Sequence, residues 1–121
     1  MIKEFRIVIV DDCVRYRESL AELLRAVPDI EVLGLGGSAD DAVRLAAQLA
    51  PDVILVDLDM PGCGIEAARR LAVACPAVNV FILTVSDDPV SRTEARLAGV
   101  KRYLLKGLSA RQLAEAIRSY G

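Results

Sequence analysis

The sequence predicts an α/β fold in which a parallel sheet is covered by helices on both faces, and three observations lead there. Short apolar runs alternate with amphipathic patterns along the whole 121-residue chain, which is the βαβ rhythm of parallel sheets. The runs Val53 to Val56 and Val80 to Leu83 are apolar without interruption, as central strands covered on both sides require. Residues that start helices then fall where the rhythm needs them, at Ser38, Asp88 and Ser109.

The elements follow in order. A first strand is expected over Phe5 to Val10, and a first helix with Leu20, Leu23, Leu24 and Val27 on one face. The second strand, Ile30 to Leu35, is broken by Glu31, as an edge strand permits. Ser38 opens a helix that buries Ala42, Leu45, Ala46 and Leu49; the strand Val53 to Asp57 comes next, then a helix with Ala68, Leu71, Ala72 and Cys75 inward. After the strand Val78 to Leu83, Asp88 with Pro89 at the first helical position begins a helix whose stripe is only Val90, Thr93 and Leu97. That helix is expected to be the loosest. The strand Val100 to Leu105 precedes a last helix, started by the capping box Ser109 and Gln112, with Leu113, Ala116, Ile117 and Tyr120 on its buried face.

Size and composition narrow the function. The chain fits one domain, 1–121, long enough for a single core without disulfides or structural metal. With 54% hydrophobic residues and a net charge of -2, it is neither a disordered chain nor an ordinary basic nucleic-acid surface. No apolar stretch approaches the roughly 20 residues of a membrane span, and the N-terminus, with Glu4 beside Lys3, has no signal-peptide core. A cytoplasmic protein without membrane contact is expected. Cys13, Cys63 and Cys75 lack metal spacing and an even count, which argues for reduced thiols. The chain has no histidine, so His-based triads and an internal phosphohistidine relay are excluded. Gly121 follows the last helix at once, where a longer protein could have been cut.

Chemistry collects at the strand ends. In open parallel sheets ligands bind outside the carboxyl ends of the strands, and there stand Asp11 and Asp12, Asp57, Thr84 and Lys106. Two carboxylates about 4 Å apart repel by roughly 4 kcal/mol at an effective dielectric near 20. Gathering several of them therefore implies a hard divalent cation. Acids, a hydroxyl and an ammonium together suit a phosphoryl group: metal and lysine neutralise its oxygens, the hydroxyl donates to one, and a carboxylate attacks in line. Asp57 is the candidate nucleophile, because no other residue at this edge combines ionisation with a central position.

These residues, in this order, resemble the receiver domain of bacterial two-component response regulators over the whole chain. The matching residues are Asp11-Asp12, Arg17 with Leu20, the run from Pro51 through Asp57 and Asp59 to Pro61-Gly62, Leu83-Thr84, Ala98-Gly99-Val100 and Tyr103-Leu104-Leu105-Lys106. The resemblance implies a doubly wound, flavodoxin-like sheet of five parallel strands in the order 2-1-3-4-5, flanked by five helices. It implies that Asp57 accepts phosphate from a histidine kinase, and that Asp12, Asp57 and the backbone carbonyl of Asp59 ligate Mg2+ with Asp11 helping through a water. Lys106 would pair with phosphoryl oxygens, Thr84 would move to bond one of them, and Tyr103 would rotate inward behind it. Such a domain catalyses its own Mg2+-dependent phosphorylation and dephosphorylation and is otherwise not an enzyme. The segment Arg17-Glu18-Ser19-Leu20 looks most like regulators with a LuxR-type DNA-binding domain, here absent from the chain, that control transcription. Partners, or a second protomer, would engage the fourth helix, fifth strand and fifth helix in a phosphorylation-dependent way, at a face holding Arg92, Arg96, Lys101, Arg102, Arg111 or Arg118.

Two departures from the family pattern stand out. The loop Gly62-Cys63-Gly64-Ile65 is one residue short and lacks the usual Asp-Gly step, and Gly107 follows Lys106 where proline or an acid is common. Neither removes a chemical group.

Plainer readings compete. Adjacent aspartates usually form a solvated turn, Lys106 alone would be a surface lysine, Thr84 a capping hydroxyl, and Tyr103 an edge-strand aromatic covering the last helix. The run Gly34-Leu35-Gly36-Gly37-Ser38-Ala39 matches a dinucleotide fingerprint, but on a probable edge strand, and Asp57 has a better assignment with its neighbours. Cys13 and Cys63 near the acidic edge could form a redox-sensitive pair, although bystander thiols are the simpler reading. The competing functional class is a receiver-like interaction module without phosphotransfer.

Overall fold

The structure, a computed structural model, describes residues 3–120; Gly121 lies outside them. Its elements are β1 (Phe5–Val10), α1 (Val14–Arg25), β2 (Ile30–Gly36), α2 (Ala39–Leu49), β3 (Val53–Asp57), α3 (Gly64–Ala74), β4 (Asn79–Thr84), α4 (Pro89–Leu97), β5 (Arg102–Leu105) and α5 (Ala110–Tyr120). All pairings are parallel and the strand order is β2-β1-β3-β4-β5, as the resemblance implied. No helix among the described residues is long and apolar enough to cross a membrane.

Strand alternation divides the interior in two. Val8, Val10, Ile54, Val56, Val80 and Ile82 face α2, α3 and α4, whereas Ile7, Ile9, Val53, Leu55, Phe81 and Leu83 face α1 and α5. Successive side chains on a strand point to opposite faces, so the unbroken apolar runs feed both cores. β2 is an edge, and its register against β1 slips by one residue between Ile7 and Val8.

Helix starts follow their caps. Ser38 Oγ accepts from Asp41 N at 3.1 Å, Asp88 Oδ1 from Val90 N at 3.2 Å with Pro89 opening α4, and Ser109 and Gln112 bond reciprocally at 3.1 and 3.0 Å. Each cap satisfies amides that the first turn leaves without helical partners.

Several buried faces differ from those the periodicity predicts. In α1 the inward residues are Leu20, Ala21 and Leu24, and Leu23 is 55% exposed. In α3, Ile65 and Ala67 join Ala68 and Leu71 inside, while Ala72 is exposed and Cys75 half-buried. The largest difference is α4, where Ala95 alone is buried and Val90, Thr93 and Leu97 face outward, Leu97 at 80% exposure. Small alanines set the close approach of these helices, and an apolar repeat on the far side does not override it. The weak anchoring expected of α4 holds, on a different face. Tyr103 is a second correction: it packs with Val100 and Ala95 on the α4 side, whereas Leu104 joins the α5 side.

Outside the cores, Arg118 on α5 grips Asp29, before β2, with bonds of 2.7 Å to both carboxylate oxygens. The hydrogen bond and charge of Arg118 hold the Asp29 carboxyl below its ordinary 3.8. A depressed carboxylate contributes stability above its unfolded pKa and loses it as pH falls through the folded one. Asp29→Asn is therefore expected to lower the urea midpoint at pH 7, with the gap from wild type closing progressively below about pH 4. Equal gaps at neutral and acid pH would show that the pair contributes nothing through ionisation.

Candidate functional site

The parallel topology delivers the chemistry to one edge. β1 ends at Val10, so Asp11 and Asp12 follow at its carboxyl end; β3 ends in Asp57, β4 in Thr84, and Lys106 follows β5. Asp11 N donates to Gly36 O at 2.9 Å, and Lys106 N to Thr84 O at 2.7 Å. These bonds extend the ladders just past the strands and fix where both side chains start. Arg17, from α1, adds a brace by donating to the carbonyls of Asp11 and Gly36 at 3.1 and 2.9 Å.

Asp11, Asp12 and Asp57 each present a carboxylate oxygen within 4.8 Å of the others. Asp11 and Asp57 are buried and Asp12 is exposed. Lys106 Nζ lies 2.7 Å from Asp11 Oδ2 and 3.2 Å from Asp57 Oδ1, and the second Asp11 oxygen accepts from Cys13 N at 2.9 Å. Burial pushes the Asp57 carboxyl above its ordinary value; the bond from Lys106 opposes this and the charge of Asp11 adds to it. Burial would depress the Lys106 ammonium, but bonds and charges from Asp11 and Asp57 outweigh it and raise its pKa. The lysine stays a cation. One ammonium among these carboxylates leaves negative charge over, and an all-oxygen donor set with one exposed member fits a hard divalent cation that retains water.

Thr84 is fully buried, its hydroxyl held by long contacts of 3.3 and 3.4 Å to the backbone of Ser86. Contacts so long are easily exchanged. The Tyr103 ring lies under the Arg92 guanidinium, 4.9 Å from its centroid, and its hydroxyl is buried with no hydrogen-bond partner. Asp59 is exposed on the turn after β3, where its backbone bonds toward the Asp57 carboxylate.

The shortened loop closes tightly under this edge. Gly62 and Cys63 take φ of 85° and 65°, and a Cβ on Gly64 would meet the Asp57 carbonyl oxygen at 2.5 Å. Glycine at 64 is what allows α3 to start against the strand end. The cysteines are free, with Cys13 and Cys63 exposed.

The glycine fingerprint is not a phosphate cradle. Gly37 N donates to Asp41 Oδ2 and Ala39 N to Pro61 O, and a Cβ on Gly36 would strike Asp41 Cβ at 2.8 Å. Amides that would receive a pyrophosphate are already bonded, and the space above them is filled.

Sequence reasoning missed Tyr16. Its ring centroid is 4.4 Å from Lys106 Nζ, and burial holds its phenol above the ordinary value. Nothing local in the sequence pairs a residue of α1 with one after β5.

A flavodoxin-like sheet with an acid cluster and a half-buried lysine at its carboxyl edge defines a signal-receiver scaffold. The response regulator receiver domain family matches residues 7–118, and the chain belongs to that family. Transcriptional regulatory protein LiaR of Bacillus subtilis (strain 168) is 41% identical over 117 residues, 94% of this chain and 54% of LiaR. Transcriptional regulatory protein DegU of Brevibacillus brevis is 38% identical over 116 residues, covering 95% of this chain and 49% of DegU. The chain thus spans about half the length of these relatives. Among solved structures, a LuxR-family two-component response regulator from Aurantimonas sp. SI85-9A1 matches with a TM-score of 0.90 and 30% identity, over 97% of this chain and 84% of that one. A LuxR-family DNA-binding response regulator from Staphylococcus aureus matches with 0.89 and 26%, over 96% and 98%.

If the acid cluster takes up a divalent cation, millimolar Mg2+ should raise the thermal midpoint, since a ligand at 100 times its dissociation constant stabilises by about 2.7 kcal/mol. Asp12→Ala should remove most of that rise. A wild-type melting curve indifferent to the ion would refute the metal site.

Proposed function

We propose that this domain is a phosphorylation-activated switch that accepts a phosphoryl group on Asp57 from a histidine kinase. The observation that carries the reading is the joint placement of buried Asp57 and half-buried Lys106, 3.2 Å apart and beside Asp11 and Asp12. An Asp57 oxygen attacks phosphorus, the new O–P bond forms as the bond to the donor breaks, and the donor's leaving group departs with the electron pair. Burial makes that oxygen more basic than an ordinary carboxylate's. Lys106 exchanges its Asp57 contact for a phosphoryl oxygen while keeping Asp11. Mg2+ would be held by Asp12, Asp57 and the Asp59 carbonyl, with Asp11 helping through a water, and would supply the remaining charge neutralisation. The same groups, with water in place of the donor, account for self-catalysed dephosphorylation.

The readout rests on Thr84 and Tyr103. Phosphorylation adds charge and strong acceptors beside Thr84, whose present contacts are weak. Drawing the hydroxyl inward frees room behind it for the Tyr103 ring, and a buried hydroxyl without a partner, which costs roughly 1–3 kcal/mol, favours such a shift. α4 rests on Ala95 alone and is cheap to displace. The face of α4, β5 and α5 thereby meets an output domain or a second protomer. The names of LiaR and DegU support transcriptional control, and that of the Staphylococcus aureus neighbour supports a DNA-binding output.

Incubation with acetyl phosphate and Mg2+, followed by intact mass, tests the reading. Wild type should gain one phosphoryl group, Asp57→Ala none, and Lys106→Ala should keep the Mg2+ response while reacting about 100-fold or more slowly. An adduct mapped to another residue, or no adduct at all as an interaction module without phosphotransfer would give, overturns it.

Amide exchange with and without beryllofluoride tests the readout, with changes expected in α4, β5 and α5. Changes confined to α1 and α2 would sink the switch.

A further inference from the structure

Lys106 is held from three directions. Asp11 and Asp57 take its hydrogen bonds at 2.7 and 3.2 Å, and the face of Tyr16 stands 4.4 Å behind the ammonium. The Lys106 side chain keeps only 15% of its exposure. Tyr16 comes from the first turn of α1 and packs, half-buried, against the core between the sheet and α1 and α5.

Phosphoryl transfer demands that the ammonium move without being released. Its contact to an Asp57 oxygen must pass to a phosphoryl oxygen, and two carboxylates alone direct it only to their own fixed oxygens. An aromatic face attracts a cation with little directional requirement, so it can hold the ammonium through that exchange. It also occupies the side from which water would otherwise solvate the charge. An aliphatic residue of similar volume would exclude water but offer no attraction.

We propose that Tyr16 is a positioning residue for phosphoryl transfer, its ring face holding the Lys106 ammonium as it passes from Asp57 to the incoming phosphoryl group. This rests on the reading of Asp57 as phosphoacceptor. The phenolic hydroxyl has no part in it.

The test compares wild type, Tyr16→Phe and Tyr16→Leu. Phosphorylation by acetyl phosphate at saturating Mg2+ should be unchanged within about twofold for Phe and slowed about two- to thirtyfold for Leu, the range of a cation–π contact from exposed to desolvated. The Mg2+-induced rise in thermal midpoint should be the same in all three. In the metal-free protein, the Lys106 ε-methylene protons should be shifted upfield by the ring in wild type and Phe, and return to the ordinary lysine position in Leu. Tyr16→Met replaces the Leu variant should that one fail to fold. Equal rates in wild type and Leu, a Phe variant as slow as Leu, or unshifted ε-methylene protons in wild type each overturn the role of Tyr16 alone. A wild-type chain that takes up no phosphoryl group overturns the phosphoacceptor reading, and this role with it.

Discussion

A single ammonium serving several carboxylates is the constraint around which this domain is arranged. Lys106 cannot neutralise Asp11, Asp12 and Asp57 together, and the two it touches are both buried. The raised pKa of Asp57 records burial first, and the charge of Asp11 adds to it. Any species that brings positive charge, or replaces a bare carboxylate oxygen with groups that the lysine can serve better, lowers the energy of this edge. The resting state is therefore electrostatically incomplete, and that gives the edge its responsiveness.

Holding such an arrangement requires rigid surroundings. The central strands supply them, with β1, β3 and β4 covered on both faces by apolar side chains. Backbone bonds from Asp11 to Gly36 and from Lys106 to Thr84 carry the rigidity one residue beyond the ladders. Where the charged groups sit, the chain is fixed; at α4 it is barely anchored. The contrast between the two is a property of side-chain size, large on the strands and reduced to one alanine under the helix.

Much of this was legible in the sequence, because parallel strands place every carboxyl end on the same edge and so convert linear positions such as 11, 57, 84 and 106 into neighbours. Caps were legible for a different reason: Ser109 and Gln112 interact within one turn, and local chemistry needs no tertiary knowledge. The faces of α1, α3 and α4 were not, since an apolar repeat reports a stripe without reporting which side a small residue lets a sheet approach. The plainer reading of Tyr103 put it over the last helix; on a four-residue edge strand a shift of one position exchanges the two faces, and sequence alone does not fix that register. Tyr16 and Lys106 meet only after the sheet has formed, at opposite ends of the chain. No periodicity encodes that contact.

The sheet also acts as a partition. Tyr16, behind the lysine, belongs to the core on one side, and Tyr103 to the core on the other. If the domain is charged at this edge, substitutions accumulating around Tyr16 and α1 would retune how fast it is charged and discharged, while those around α4 would retune what it addresses when charged. A small domain divided in this way can inherit a new partner without surrendering its clock, and a new clock without surrendering its partner.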